Sequence, residues 1–254
     1  MAIGDLDGDG RPDLVVANYY SNTVSVLLGS GDGTFAPWTV FATGGGPSFV
    51  AIDDLSGDGK PDLAVVNLDS YTVSVLLGNG DGTFRVRTNF ATGSRSYSVA
   101  IGDLNGDEKP DLVEANSNSK TVSAWLGDGD GTFRAMTDYA TGSGPVPVAI
   151  GDLNGDGKPD LAVANDTSNT VSVLLGNGNG TFAPRTDFAT GSSPRSVAIG
   201  DLNGDGEPDL GGRELHLPHG LGVARQRRRD LRAADRLRDG KRLSPVRGDR
   251  RPER

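Results

Sequence analysis

A period of 49 residues governs this chain. Acidic loops open at Asp5, Asp54, Asp103, Asp152 and Asp201, and a second signature ending in Thr-Phe places its aromatic ring at Phe35, Phe84, Phe133 and Phe182. Both step without insertion or deletion, so whatever one period builds is built again beside itself. Such repetition restricts the fold to architectures in which a short unit buries its faces against copies of itself.

One period holds four short runs rich in Val, Thr and aromatic residues, each bounded by Gly, Pro, Asn or Asp. In the second period they are residues 48–55, 62–67, 71–77 and 84–91. Runs of that length and composition read as strands, and none carries a helical spacing of apolar residues. The third run sets Val73, Val75 and Leu77 against Ser74 and Leu76, so both of its faces are expected to be covered. The fourth alternates Arg85, Arg87 and Asn89 with Val86 and Phe90, the pattern of an outer strand with one face in water. The fold class expected is all-β: a β-propeller of four-stranded antiparallel blades. It forms a partial ring of about four blades plus the start of a fifth, with units beginning near residues 1, 50, 99, 148 and 197. A β-solenoid is the competing architecture; its rungs are usually shorter, and hairpins between all four strands suit a meandering blade better.

Each acidic loop puts oxygen-bearing side chains at its first, third, fifth and ninth positions. These are Asp5, Asp7, Asp9 and Asp13; Asp54, Ser56, Asp58 and Asp62; Asp103, Asn105, Asp107 and Asp111; Asp152, Asn154, Asp156 and Asp160; Asp201, Asn203, Asp205 and Asp209. Carboxylates this close repel unless a cation sits among them. Ca²⁺ takes about 6–8 oxygens, and these loops offer four side chains plus the carbonyl of the seventh position. Mg²⁺ fits less well, because it demands a strict octahedron. Asx-turns in tight hairpins explain one or two such residues per loop but not the full alternating set. An EF-hand is excluded: its twelfth position here is Val16, Val65 and Val163, with Glu114 in the third loop, and the flanks are strands. Glu114 reads as a chance surface substitution. Glu108 stands where the other loops have the turn glycine, so loop 103–111 is expected to be the weakest of the first four sites.

At these residues the chain resembles the FG-GAP or VCBS repeat, the blade unit of integrin α-subunit propellers and of many bacterial surface proteins. The likeness covers residues 1–210 and rests on "DLNGDGKPDLAVAN" and its copies; "FATGSSP" stands in place of the name-giving Phe-Gly and Gly-Ala-Pro. The resemblance implies Ca²⁺ held between the first two strands of a blade. The ligands it implies are the side chains above together with the carbonyls of Arg11, Lys60, Lys109, Lys158 and Glu207. It also implies a seven-bladed ring, secreted or on the cell surface, working in cell adhesion or in binding extracellular protein or glycan ligands.

Charge divides the chain. Residues 1–210 hold 11 Lys and Arg against 28 Asp and Glu, whereas 211–254 hold 14 against 6. Written in suitable codons and read one base along, "VARQRRRDLR" (223–232) becomes "LLGNGDGTF", the next copy of the second signature. The Arg-rich segment is therefore expected to be a frameshift-derived, disordered or loosely helical tail rather than a nucleic-acid or membrane arm. His216 and His219 within it are accidental on this reading. Met1 occupies the column of Val50, Val99, Val148 and Val197, which points to a start and a secretion signal farther upstream.

No apolar stretch approaches the ~20 residues that cross a bilayer. The absence of cysteine excludes disulfides and thiol chemistry. Residues 1–210 also lack histidine, and the carboxylates are claimed as ligands, so the chain is expected not to be an enzyme. A calcium-loaded adhesion scaffold is the first expectation. The alternatives are a lectin-like propeller using Tyr19, Tyr20, Trp38, Tyr71, Tyr97 and Trp125, although ordinary blade packing is the favoured role of each of these rings, or a non-catalytic domain of a larger secreted enzyme.

Overall fold

A computed structural model of the chain describes residues 1–93, 95–204, 206, 208–212 and 222–224, the last three as backbone. The four expected runs of each period become four strands of one sheet. Blade 1 is β1 (Ala2–Gly4), β2 (Asp13–Asn18), β3 (Thr23–Leu27) and β4 (Thr39–Ala42). Blade 2 is β5 (Pro47–Asp53), β6 (Asp62–Asn67), β7 (Thr72–Leu76) and β8 (Thr88–Ala91). Blade 3 is β9 (Ser96–Gly102), β10 (Asp111–Asn116), β11 (Thr121–Trp125) and β12 (Thr137–Ala140). Blade 4 is β13 (Pro145–Gly151), β14 (Asp160–Asn165), β15 (Thr170–Leu174) and β16 (Thr186–Ala189). A fifth sheet holds β17 (Ala198–Gly200), β18 (Asp209–Gly212) and β19 (Gly222–Ala224). Every sheet is an antiparallel meander in chain order. First strands of consecutive blades lie side by side, β1 by β5, β5 by β9, β9 by β13 and β13 by β17. The fold is thus a partial β-propeller, with first strands inside and fourth strands at the rim.

Burial follows position in the stack. The middle strands of blades 2 to 4 are covered on both faces, and β6, β10 and β14 are buried at all six residues. Leu63 and Val65 face Val15 and Val24 of blade 1, while Ala64 and Val66 face Leu112 and Trp125 of blade 3. Among the described residues blade 1 has a neighbour on one side, and its β3 alternates buried and half-buried residues. Fourth strands are mostly exposed, each with a half-buried aromatic such as Phe90 in β8. A recurring Asn–Ser pair threads the inside of the stack. Buried Ser74 accepts from Asn67 Nδ2 (2.9 Å) and from the Gly44 N–H of the preceding linker (3.0 Å), and donates to Asn89 Oδ1 (2.7 Å). Blade 4 repeats this with Asn165, Ser172, Gly142 and Asp187.

Three expectations need correction, and Trp125 takes the packing role favoured for it over sugar stacking. The fourth strand of blade 2 begins at Thr88 rather than 84, because Phe84 closes an isolated bridge to Gly78 across a tight turn, and Val86 points to solvent at 93 % exposure. Trp125 is 4 % exposed, in the column of Leu76 and Leu174, and packs edge-on to Phe90. Glu114 is 1 % exposed. It pairs with Val99 and Ser123 on the β10 face that carries Leu112, so it lies against blade 2 and not on the surface. Within the segment expected to be a disordered or helical tail, Gly211 and Gly212 end β18 and residues 222–224 pair with it. His216, His219 and the remainder of 213–254 lie outside the described residues.

Candidate metal centres

Each acidic loop joins the first and second strands of a blade, and its side chains organise the backbone around them. The first-position carboxylate gathers the N–H groups of the loop. Asp5 accepts from Gly8 (2.8 Å) and Gly10 (2.9 Å), and Asp152 from Gly155 (2.7 Å) and Gly157 (2.8 Å). Asp54, Asp103 and Asp201 do the same. The fifth-position carboxylate accepts the seventh-position N–H: Arg11 to Asp9 at 2.8 Å, Lys60 to Asp58 at 3.0 Å, Lys109 to Asp107 at 3.1 Å and Lys158 to Asp156 at 2.9 Å. Asx-turns are therefore present, and single first-position oxygens accept as many as three backbone N–H groups, as at Asp103 and Asp152. Ion pairs of Arg11, Lys60 and Lys158 with the same carboxylates are solvent-exposed and contribute little.

The ninth-position Asp is a buried clamp. Asp13, Asp62, Asp111 and Asp160 are all 0 % exposed. One oxygen of Asp13 takes the Leu6 N–H (2.7 Å) and the other the Gly29 N–H at the end of β3 (2.7 Å). Asp111 and Asp160 hold Leu104 with Gly127 and Leu153 with Gly176 in the same way, and Asp62 holds Ser56 with Gly78. The backbones meet closely there: a Cβ on Gly29 would stand 2.2 Å from the Pro12 carbonyl oxygen. In the fifth loop Asn203 Nδ2 reaches Asp209 (2.8 Å), while Asp205 and Glu207 lie outside the described residues.

Among the described residues, one acidic loop brings three carboxylates together as a dication requires. In the first loop one oxygen each of Asp5, Asp7 and Asp13 falls within 4.8 Å of the others. Their protonation reports the crowding. Loss of hydration, then the charges of Asp9, Asp13 and Asp5, raise the Asp7 carboxyl above the usual range. Burial first, with the loop carboxylates adding, raises Asp62 and Asp111 and pushes Asp160 up to about 6. Asp103 runs the other way, because its backbone donors outweigh the effect of burial. Glu108 takes φ +64°, the left-handed conformation its glycine counterparts supply in the other loops. The donor set fits Ca²⁺: clustered hard oxygens, a preformed turn and a net negative charge.

The sequence pattern of the FG-GAP-like repeat matches residues 5–65, 54–114, 103–163 and 152–211, which spans most of the chain. The chain belongs to the FG-GAP-like repeat family. No curated protein sequence matches it. Among solved structures it resembles an Agrocybe aegerita lectin that recognises non-reducing terminal N-acetylglucosamine, at 25 % identity and TM-score 0.61, over 83 % of this chain and 59 % of the lectin. It also resembles a protein of unknown function from Desulfotomaculum acetoxidans (15 %, TM-score 0.60, 84 % and 65 %) and streptogramin B lyase (16 %, TM-score 0.55, 85 % and 65 %). Those two likenesses concern the fold alone. The chain spans about three-fifths of the length of such structures.

Residues that sequence reasoning missed include Leu28, Leu77 and Leu126, which touch the next blade's turn glycines. Their column is invariant within the chain, but nothing in one dimension says which glycine a leucine meets.

Proposed function

We propose that this FG-GAP-like chain is a calcium-loaded, extracellular propeller scaffold for adhesion or ligand binding. The observation that carries this reading is the convergence of Asp5, Asp7 and Asp13 within 4.8 Å, in a loop pattern repeated through the chain. Bound Ca²⁺ would supply positive charge where carboxylates otherwise repel. The side chains at the first, third, fifth and ninth loop positions would hold it, joined by the seventh-position carbonyl. The chain's own contribution is rigidity: the first-position Asp shapes the loop and the ninth-position Asp ties it to the end of the third strand. No helix among the described residues is long and apolar enough to cross a membrane. On this reading the protein is a binder and not an enzyme. Melting with and without EDTA tests it: chelation should lower the melting temperature, and an unchanged melt refutes the proposal.

Glycan binding is the second reading, favoured by the 25 % identity to the N-acetylglucosamine-binding lectin. Tyr20 (97 % exposed), Trp38 (69 %) and Tyr71 (50 %) offer ring faces to a sugar, whereas buried Trp125 does not. Titration with N-acetylglucosamine oligomers, followed by tryptophan fluorescence, should show saturable binding that Trp38→Ala weakens.

A further inference from the structure

The calcium loops do not end at their own blade. The Leu6 carbonyl, at the second position of the first loop, accepts the N–H of Gly82 in the Asn-Gly-Asp-Gly-Thr turn of blade 2 (3.1 Å). The same bond joins Leu55 to Gly131 (3.0 Å) and Leu104 to Gly180 (3.0 Å). A side chain of the earlier blade fills the space beside each glycine. Cβ atoms on Gly82, Gly131 and Gly180 would stand 2.6, 2.6 and 2.5 Å from Leu28, Leu77 and Leu126. Leu28 directly precedes Gly29, whose N–H is clamped by Asp13, and Asp13 also clamps the Leu6 N–H. The contacts close a circuit: Asp13, Gly29, Leu28, Gly82, Leu6 and back to Asp13. Blade 3 and blade 4 repeat the circuit through Asp111, Gly127, Leu126, Gly180 and Leu104.

Gly33 is the counterpart of these glycines in blade 1. It shares their left-handed backbone, φ +89° against +76° at Gly82, yet nothing lies within 4 Å of where its Cβ would be. Backbone strain at the two positions is thus comparable, and the neighbour across the seam is the difference between them.

We infer that each of the first three candidate calcium loops is completed by the following blade, with Gly82, Gly131 and Gly180 as positioning residues for the loop before them. This rests on the calcium reading above. An ion in loop 5–13 fixes Asp13 and Leu6 and thereby the seam to blade 2. A disturbed seam must in turn weaken that ion by the same factor, because coupling between two sites is reciprocal.

The test is calcium uptake by the full chain, measured as bound ⁴⁵Ca²⁺ at graded free calcium. Asp5→Ala should remove one ion and so mark loop 5–13. Gly82→Ala should weaken that ion about tenfold, within the usual range of coupling, while Gly33→Ala leaves the isotherm unchanged. In the Asp5→Ala background Gly82→Ala should change nothing further. Leu28→Ala, which empties the contact without straining the backbone, should act in the same direction and stands in if Gly82→Ala fails to fold. Equal isotherms for Gly82→Ala and Gly33→Ala overturn the inference, as does unchanged affinity in Leu28→Ala. A wild-type chain that takes up no calcium overturns the calcium reading itself, and this inference with it.

Discussion

The third and fourth repeats share a fold and differ where each would be expected to matter. Ser96, Glu108, Glu114 and Trp125 of the third stand where the fourth has Pro145, Gly157, Val163 and Leu174. The loop survives its glycine's loss: Asp103 still accepts the Glu108 N–H at 2.9 Å, as Asp152 accepts that of Gly157 at 2.8 Å. Carboxylates at the first and ninth positions therefore set the loop's shape, and the glycine only lowers its cost. The core is less forgiving. Val163 sits in apolar surroundings, whereas at the equivalent place neither oxygen of Glu114 has a hydrogen-bond partner of good geometry. Burial foremost, with the Asp138 charge adding and the Ser96 hydroxyl offsetting part, pushes its carboxyl up to about 8.

Swapping residues between the two repeats gives the largest expected effect. An acid whose folded-state pKa is raised binds more protons folded than unfolded, so stability falls as pH climbs between the two values, here from about 4.5 to about 8. Glu114→Val should raise stability at pH 7 by on the order of 3 kcal/mol and flatten the fall between pH 5 and 8, read from thermal melts across that range. Val163→Glu should do the reverse. Equal pH profiles for wild type and Glu114→Val would remove Glu114 as the cause.

Asp160→Asn separates clamp from ligand. Its two oxygens each accept a buried backbone N–H, from Leu153 and from Gly176, and an amide can accept only one of them, so the clamp loss alone should cost on the order of 1–3 kcal/mol in EDTA. With calcium present the loss should be larger by about 2 kcal/mol, because a charge-assisted ligand is gone as well. Equal losses in both conditions would make Asp160 a structural clamp alone. The smallest change is Glu108→Gly, which should relieve about 1 kcal/mol of left-handed strain and strengthen the third loop's ion toward the value of the fourth. Differential melts with and without calcium read both parts.

Much of this was legible in one dimension. The 49-residue period and the turn residues between apolar runs dictate four-stranded units, and the alternating oxygens of "DLDGDGRPD" locate the acidic centres. The column through Val16, Val65 and Val163 already marked Glu114 as internal, but a charged residue read by itself suggests water. The column of Leu76 and Leu174 supports the packing role of Trp125 over sugar stacking. The late start of β8 was hidden because Phe84 carries strand-like chemistry while its backbone closes a turn and its ring packs against Phe41 of blade 1. The seam of Leu28 and Gly82 needed three dimensions, since its partners lie 54 positions apart on different blades.

Titration calorimetry of Ca²⁺ into the folded, chelator-stripped chain tests the central claim most directly. The account predicts saturable uptake of several ions per chain at free calcium up to the ~10⁻³ M typical of extracellular modules, with Asp5→Ala and Asp152→Ala each removing one. Heat no greater than dilution at that concentration, from protein that melts cooperatively, would contradict it.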